Sequence, residues 1–174
     1  NKVLKIVSIL ILGSLLLTIS AKIKIPFYPV PMTMQTFVVI FLGLAFGSKL
    51  ATATVGLYLI EGLIGLPVFS NSPEKGVGLV YFTGPTMGYL IGFLFTAYFA
   101  GYLNFKTNFL IIFSKLVFVV SFIYIFGLIW LGILIGWDKP LLELGVLPFL
   151  LAELFKMLIL ALLVKKIIKL RKFI

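Results

Sequence analysis

The chain has 174 residues, of which 62% are hydrophobic and 11% charged, and it carries a net charge of +10. A water-soluble domain of that length cannot hide so much apolar surface, so the composition points to an integral membrane protein. Cysteine and histidine are both absent, which excludes thiol nucleophiles, disulfides, histidine acid–base work and most metal sites.

Six apolar runs follow one another along the chain. The first, Val3–Ala21, comes after Lys2 and includes Lys5. A basic start, an apolar stretch and Ser20-Ala21 also outline a secretory signal. Removing it would leave the chain no less hydrophobic, so the run is read as a retained first span. The start at Asn1 leaves room for residues upstream. The other runs are Met34–Phe46, Leu50–Ile64, Thr86–Leu103, Phe109–Ile135 and Leu147–Val164. A crossing helix needs about 20 residues, so the second and third are short and require irregular backbone beside them that is buried in protein. The fifth is long and is expected to tilt, or to break near Gly127 or Gly132.

Six spans place both termini on one side. Lys and Arg crowd that side, from Lys2 and Lys5 to the cluster Lys165–Lys172, whereas the other side holds Lys22, Lys24, Lys75 and Lys139. The positive-inside rule then makes both termini cytoplasmic. The positive charge reads as loop charge rather than as affinity for nucleic acid. The expected architecture is an all-α, six-helix membrane bundle forming one domain over residues 1–174.

Two connections on the outer side stand apart. Lys22–Thr33 holds Pro26, Pro29 and Pro31, which forbid helix. Gly65–Pro85 is rich in Gly and Pro yet carries Val68, Phe69, Leu79, Val80, Tyr81 and Phe82. A purely solvated linker does not hold so many large apolar groups, so this segment is expected to pack over the mouth of the bundle as a lid.

Glu153 and Lys156 are the chemically telling residues. They stand one turn apart inside the apolar segment Leu150–Val164. A charge at mid-bilayer costs about 2.5 kcal/mol or more and usually faces a partner, a cavity or a ligand. At a spacing of three the two share a helix face. One reading is a binding site for a small molecule with N–H donors and C=O or carboxylate acceptors. The other is a self-satisfied ion pair that fixes helix packing. Gln35 reads as an interhelical hydrogen bond and Tyr89 as an interfacial anchor. Phe27, Tyr28, Tyr81 and Phe82 are core aromatics or covers for an apolar ligand body. Gly13, Ser14, Thr18 and Ala21 give small-xxx-small spacing on the first span, which lets another helix approach. No phosphate-binding Gly-Lys-Ser/Thr motif occurs, so the chain does not itself hydrolyse ATP. Its one Asp, Asp138, and the lack of His argue against an intramembrane enzyme. No catalytic or metal-binding residue is assigned.

Three stretches together resemble a known family. These are IPFYPVPMTMQTFVVIFLGLAFG (Ile25–Gly47), GLYLIEGLIGLPVF (Gly56–Phe69) and GVGLVYFTGPTMGYLIGF (Gly76–Phe93). They are similar to BioY, the biotin-specific S component of energy-coupling factor (ECF) vitamin transporters. The resemblance implies six helices with cytoplasmic termini. It also implies a biotin pocket near the outer side, closed by the loops before span two and after span three. Implied partners are a transmembrane coupling subunit and a pair of cytoplasmic ATPases, with biotin as the transported ligand and no cofactor. In the family an acid followed three positions later by Lys contacts substrate, and Glu153 and Lys156 match, with Glu where Asp is usual. Met87 stands where a small residue is common, and Ser70–Lys75 where a shorter Gly-rich stretch is common. Glu153 would accept the ureido N–H groups, and Lys156 would pair with the ureido carbonyl or with the carboxylate. Thr33, Gln35 and Tyr89 would add neutral hydrogen bonds, and Asn71 would suit the carboxylate. Gly13, Ser14 and Thr18 would form the docking face for the coupling subunit. The alternatives are an S component for another small vitamin-like molecule and a non-transporting structural subunit.

Overall fold

The computed structural model describes residues 1–173. It contains helices α1 (Lys2–Lys22), α2 (Gln35–Phe46), α3 (Ser48–Leu63), α4 (Leu79–Phe82), α5 (Met87–Tyr102), α6 (Phe109–Ile135), α7 (Leu141–Gly145) and α8 (Leu147–Ile167), followed by a 3-10 segment, Ile168–Phe173. Two two-residue strands, β1 (Lys24–Ile25) and β2 (Met32–Thr33), pair antiparallel between α1 and α2. This small ladder departs from the all-helical expectation. It brackets Pro26, Pro29 and Pro31, whose missing N–H groups and fixed φ keep helix out.

Three helical stretches are long and apolar enough to cross a membrane: Lys2–Lys22, Phe109–Ile135 and Leu147–Lys172. Gln35–Phe46 and Met87–Tyr102 are shorter apolar helices. Large apolar side chains point outward along them, among them Leu12, Leu110, Leu151 and Leu162, each more than 60% exposed. Such an apolar outer face suits lipid rather than water, and the protein is a membrane protein. α6 shows no break at Gly127 or Gly132. Those glycines accommodate neighbours: a Cβ on Gly127 would stand 2.5 Å from the Tyr89 ring, and one on Gly132 2.8 Å from the Trp137 indole.

Close helix contact rests on absent side chains. On α5, a Cβ at Gly92 would lie 2.6 Å from the Cα of Ile123 on α6, and one at Gly88 would lie 2.3 Å from the carbonyl oxygen of Phe126. Gly43 of α2 meets Ala97 and Ala100 of α5 in the same way. Small residues at such seams let backbones pack tightly where no hydrophobic drive operates between helices.

The bundle has two unlike ends. One gathers the connections 23–34, 64–86 and 136–146. The opposite end holds the C-termini of α2 and α5, and there Arg171 donates from Nε to the carbonyl of Leu44 (2.9 Å) and from Nη2 to those of Gly43 (3.2 Å) and Gly101 (3.1 Å). The Gly43 carbonyl also accepts from the Gly47 N–H (2.9 Å), whereas those of Leu44 and Gly101 stand in the last turn, where carbonyls lack intrahelical partners, and one guanidinium ties both helix ends.

Gly13 and Ser14 do not form an outward docking face. Both are buried against α3. A Cβ on Gly13 would stand 2.5 Å from Thr54 Cγ2, and the Ser14 hydroxyl donates to the Glu61 carboxylate. Thr18, half-buried, donates back to the Ser14 carbonyl (3.0 Å). The expectation of a free docking stripe fails for Gly13 and Ser14 because their small size serves the α1–α3 seam within the chain.

Candidate ligand-binding site

Glu153 lies six residues into α8, about 9 Å along its axis from the first residue. Lys156 follows one turn further in. Both are buried, at 5% and 6% exposure. The Lys156 ammonium donates to three oxygens: the Thr33 carbonyl (2.6 Å), Thr36 Oγ1 (3.0 Å) and Glu153 Oε1 (2.9 Å). An ammonium has three N–H groups, so Lys156 is saturated. Thr36 in turn donates to Glu153 Oε1 (2.9 Å). The other carboxylate oxygen, Oε2, is buried and accepts no hydrogen bond among the described residues. A buried acceptor left open costs about 1–3 kcal/mol, and more for a charged group. Such a group asks for a donor.

That donor would arrive through a cavity that Glu153 helps to line. It is a narrow cleft, with about 510 Å3 of non-atom space when the open solvent at its mouth is included. Thr33, Gln35 and Thr36 form one wall, at the junction of β2 and α2. Tyr89, Leu90 and Phe93 of α5, Ile123 and Tyr124 of α6, and Phe149 of α8 form the apolar body. Ser70 and Tyr81 come from the 64–86 segment, and Val30, Pro31 and Met32 from the segment before α2. A mostly apolar cavity with a few placed polar groups is the ordinary form of a small-molecule site. Glu153 and Tyr124 also face a second, almost wholly apolar cleft between α6 and α8, lined by Val117, Val120, Leu150, Leu154 and Met157.

Gln35 holds its place by a relay. Its amide N–H donates to the Tyr58 hydroxyl (2.8 Å), which donates to the carbonyl of Val68 (3.0 Å). The Thr33 hydroxyl donates to the Gln35 side-chain oxygen (3.2 Å). One Gln35 N–H remains available to the cavity.

Two expectations change here. The Tyr89 hydroxyl does not offer a hydrogen to the cavity, because it donates to the carbonyl of Gly145 (2.9 Å). Tyr89 presents its ring instead. It is no interfacial anchor either, being buried at 6% exposure. Asn71 does not line the cavity: its side-chain oxygen accepts from Lys24 Nζ (3.0 Å) outside it. The neighbouring Ser70 is on the wall, in hydrogen-bond contact with the Tyr81 hydroxyl (3.2 Å).

The 64–86 segment packs over the mouth, as its apolar content predicts. Phe69 anchors the segment to α3, 1% exposed. Its ring stacks on Tyr81 at 4.7 Å and meets Tyr58 and Phe82 edge-on at 5.3 and 5.4 Å. Gly62 makes room for it, since a Cβ there would sit 2.0 Å from the ring. Two lysines tie the segment to the end of α1. Lys22 donates to the carbonyls of Phe69 (2.7 Å) and Ser72 (2.6 Å), and Lys24 to that of Ser70 (2.6 Å). Phe27 sets its ring edge-on to Phe149 at 6.0 Å, whereas Tyr28 is 82% exposed.

Sequence reasoning missed Thr36, Ser70, Tyr124 and Phe149. A signal existed for Tyr124, whose hydroxyl sits mid-run in a long apolar helix and needs a polar neighbour. None existed for Phe149. Glu61 was missed as the partner of Ser14 because a carboxylate near a helix end reads as surface.

The sequence model of the BioY family matches residues 2–173. A probable biotin transporter BioY of Pyrococcus horikoshii is 36% identical over 152 residues, covering 87% of this chain and 89% of that protein. The biotin transporter BioY of Thermotoga maritima is 35% identical over 156 residues, covering 89% and 90%. The crystal structure of the S-component for biotin from an ECF-type ABC transporter superposes with a TM-score of 0.79 at 28% identity, over 97% of this chain and 93% of that one. With the match running from the first helix to the C-terminal 3-10 segment, the chain belongs to the BioY family.

Proposed function

We propose that this protein captures biotin and serves as the S component of an ECF-type transporter. It binds and carries its ligand without chemistry on it, as a transport protein and not an enzyme. One observation carries the reading: the open Oε2 of Glu153, buried at the cavity wall beside a saturated lysine. A ureido ring presents N–H donors, and a carboxylate oxygen held rigid by Thr36 and Lys156 is a strong acceptor for one of them. Lys156 then acts as the positioning residue that fixes the carboxylate. Gln35, through its remaining N–H, and Tyr124 serve the ring carbonyl. Tyr89, Phe93 and Phe149 cover the thioether and the valeryl chain. Thr33 contributes through its carbonyl, and Ser70 with Tyr81 stands where the ligand carboxylate would emerge.

The wider arrangement follows the same reading. α1, α2, α3, α5, α6 and α8 make six crossings of the cytoplasmic membrane within one domain, residues 1–174. Both ends lie on the cytoplasmic side, a placement supported by the basic residues gathered there. A transmembrane coupling subunit and cytoplasmic ATPases drive delivery. The test is equilibrium binding of labelled biotin to the detergent-purified chain, with unlabelled vitamins as competitors and Glu153→Ala alongside. Saturable binding displaced only by biotin and abolished in a folded Glu153→Ala supports the reading. Displacement by a different vitamin, or no binding by folded wild type, overturns it.

A further inference from the structure

The end of the bundle that holds the C-termini of α2 and α5 carries an open basic groove apart from the ligand cavity. It runs between the segment 103–108 and the end of α8 and contains about 1160 Å3 of open space. Lys106, Lys165, Lys169 and Lys172 line it, together with Thr107 and Phe105. All four lysines are exposed, and none is within salt-bridge distance of an acid among the described residues. Phe105 is buried and forms the floor, with Lys115 Nζ 6.0 Å from its ring centroid on another side.

Among the described residues no side-chain carboxylate lies near this end. Glu61 is two residues from the far end of α3. Glu74, Asp138 and Glu143 lie in or beside the connections at the opposite end, and Glu153 lies near the start of α8. The groove is therefore a concentrated positive field with no acidic side chain of the described residues beside it. Its border is equally one-sided. One turn before Lys165 and Lys166, Leu162 and Leu163 face outward at 66% and 38% exposure, and just after Lys106, Phe109 and Leu110 do so at 41% and 73%. A matching occupant must be anionic where it meets the lysines and apolar where it meets these four residues. A soluble anion meets the first need only, and an acidic protein surface would leave the apolar border unmatched.

We propose that this groove holds the headgroup of an anionic phospholipid, its acyl chains lying along Phe109, Leu110, Leu162 and Leu163. Basic pockets at the cytoplasmic ends of membrane helices suit such headgroups, and each nearby lysine strengthens the attraction severalfold. The proposal is independent of what occupies the cavity at Glu153.

The test is native mass spectrometry of the purified full chain titrated with phosphatidylglycerol and with phosphatidylcholine of the same acyl chains. The groove variant is K165Q/K169Q. The control is K2Q/K5Q, which removes equal charge from the start of α1. Circular dichroism establishes that each is folded. The expected result is preferential retention of phosphatidylglycerol by the wild type. The groove variant should lose it by about thirtyfold, while the control keeps it. Equal retention of the two lipids would overturn the proposal. So would equal loss in the control, which would mean diffuse surface charge. Full competition by glycerol phosphate would assign the groove to soluble anions. Unchanged lipid retention by K165Q/K169Q, with loss of co-purifying transporter subunits, would assign it to a protein partner.

Discussion

Glu153→Gln isolates the open oxygen from everything else the residue does. In the wild type Oε1 accepts from Thr36 and from Lys156, both at 2.9 Å. Only an oxygen can take that place, so the glutamine amide must put its carbonyl there and turn its NH2 toward the cavity. The site thereby changes from acceptor to donor at one atom, while Lys156 keeps three acceptors. A hydrogen bond to a charged group contributes about 1.5–3 kcal/mol, and an opposed pair of N–H groups adds to the loss. Biotin binding should fall by about 10- to 150-fold or more. Calorimetric or radioligand titration of the purified variant reads this directly, with thermal unfolding to establish that it is folded. A variant that binds within about threefold of wild type would show that Oε2 is not the ligand's acceptor.

Lys156→Met removes all three donors and leaves a buried carboxylate with only the Thr36 hydroxyl. The expected cost is about 3–5 kcal/mol, which lowers the unfolding midpoint by about 6–20 °C for a chain of this size. The double variant Glu153→Leu/Lys156→Met should regain most of that stability yet fail to bind; a single variant as stable as wild type would contradict the pairing. Tyr89→Phe deletes the bond to the Gly145 carbonyl and should cost about 0.5–1.5 kcal/mol with binding nearly unchanged. A large binding loss at unchanged stability would return the hydroxyl to the ligand. Gly92→Ala forces a methyl group to within 2.6 Å of the Ile123 Cα and should destabilise by about 1–3 kcal/mol. Gly56→Ala, with no atom within 4 Å of its added carbon, should be neutral or gain up to about 1 kcal/mol, and thermal unfolding of the pair checks both.

The helices were legible because apolar runs bounded by Gly, Pro and charge leave little choice. The run Phe109–Ile135 matches α6 residue for residue, and Leu147 begins α8 as expected. The ion pair of α8 was legible because a charge inside an apolar helix is costly and so informative. What stayed hidden depends on contacts far apart in the chain. The Tyr89 hydroxyl meets a carbonyl 56 residues away, and nothing local to Tyr89 foretells it. Ser14 looked like an interface residue because the small-residue rule says that a helix packs there without saying which one. Asn71 and Ser70 differ by one position in a loop without periodicity, so which of them faces the cavity is set by the lysine clamp and by Tyr81.

That clamp ties the covering segment to the first helix. Phe69, Ser70 and Ser72 are bound through their carbonyls, at 2.6–2.7 Å, to Lys22 at the end of α1 and Lys24 just beyond it. The cover is therefore not a flap swinging on its own two ends. It is mechanically part of α1, as a door is part of the lever bolted to it. A tilt of α1 within the membrane reaches Ser70 and Tyr81 on the cavity wall without any separate hinge.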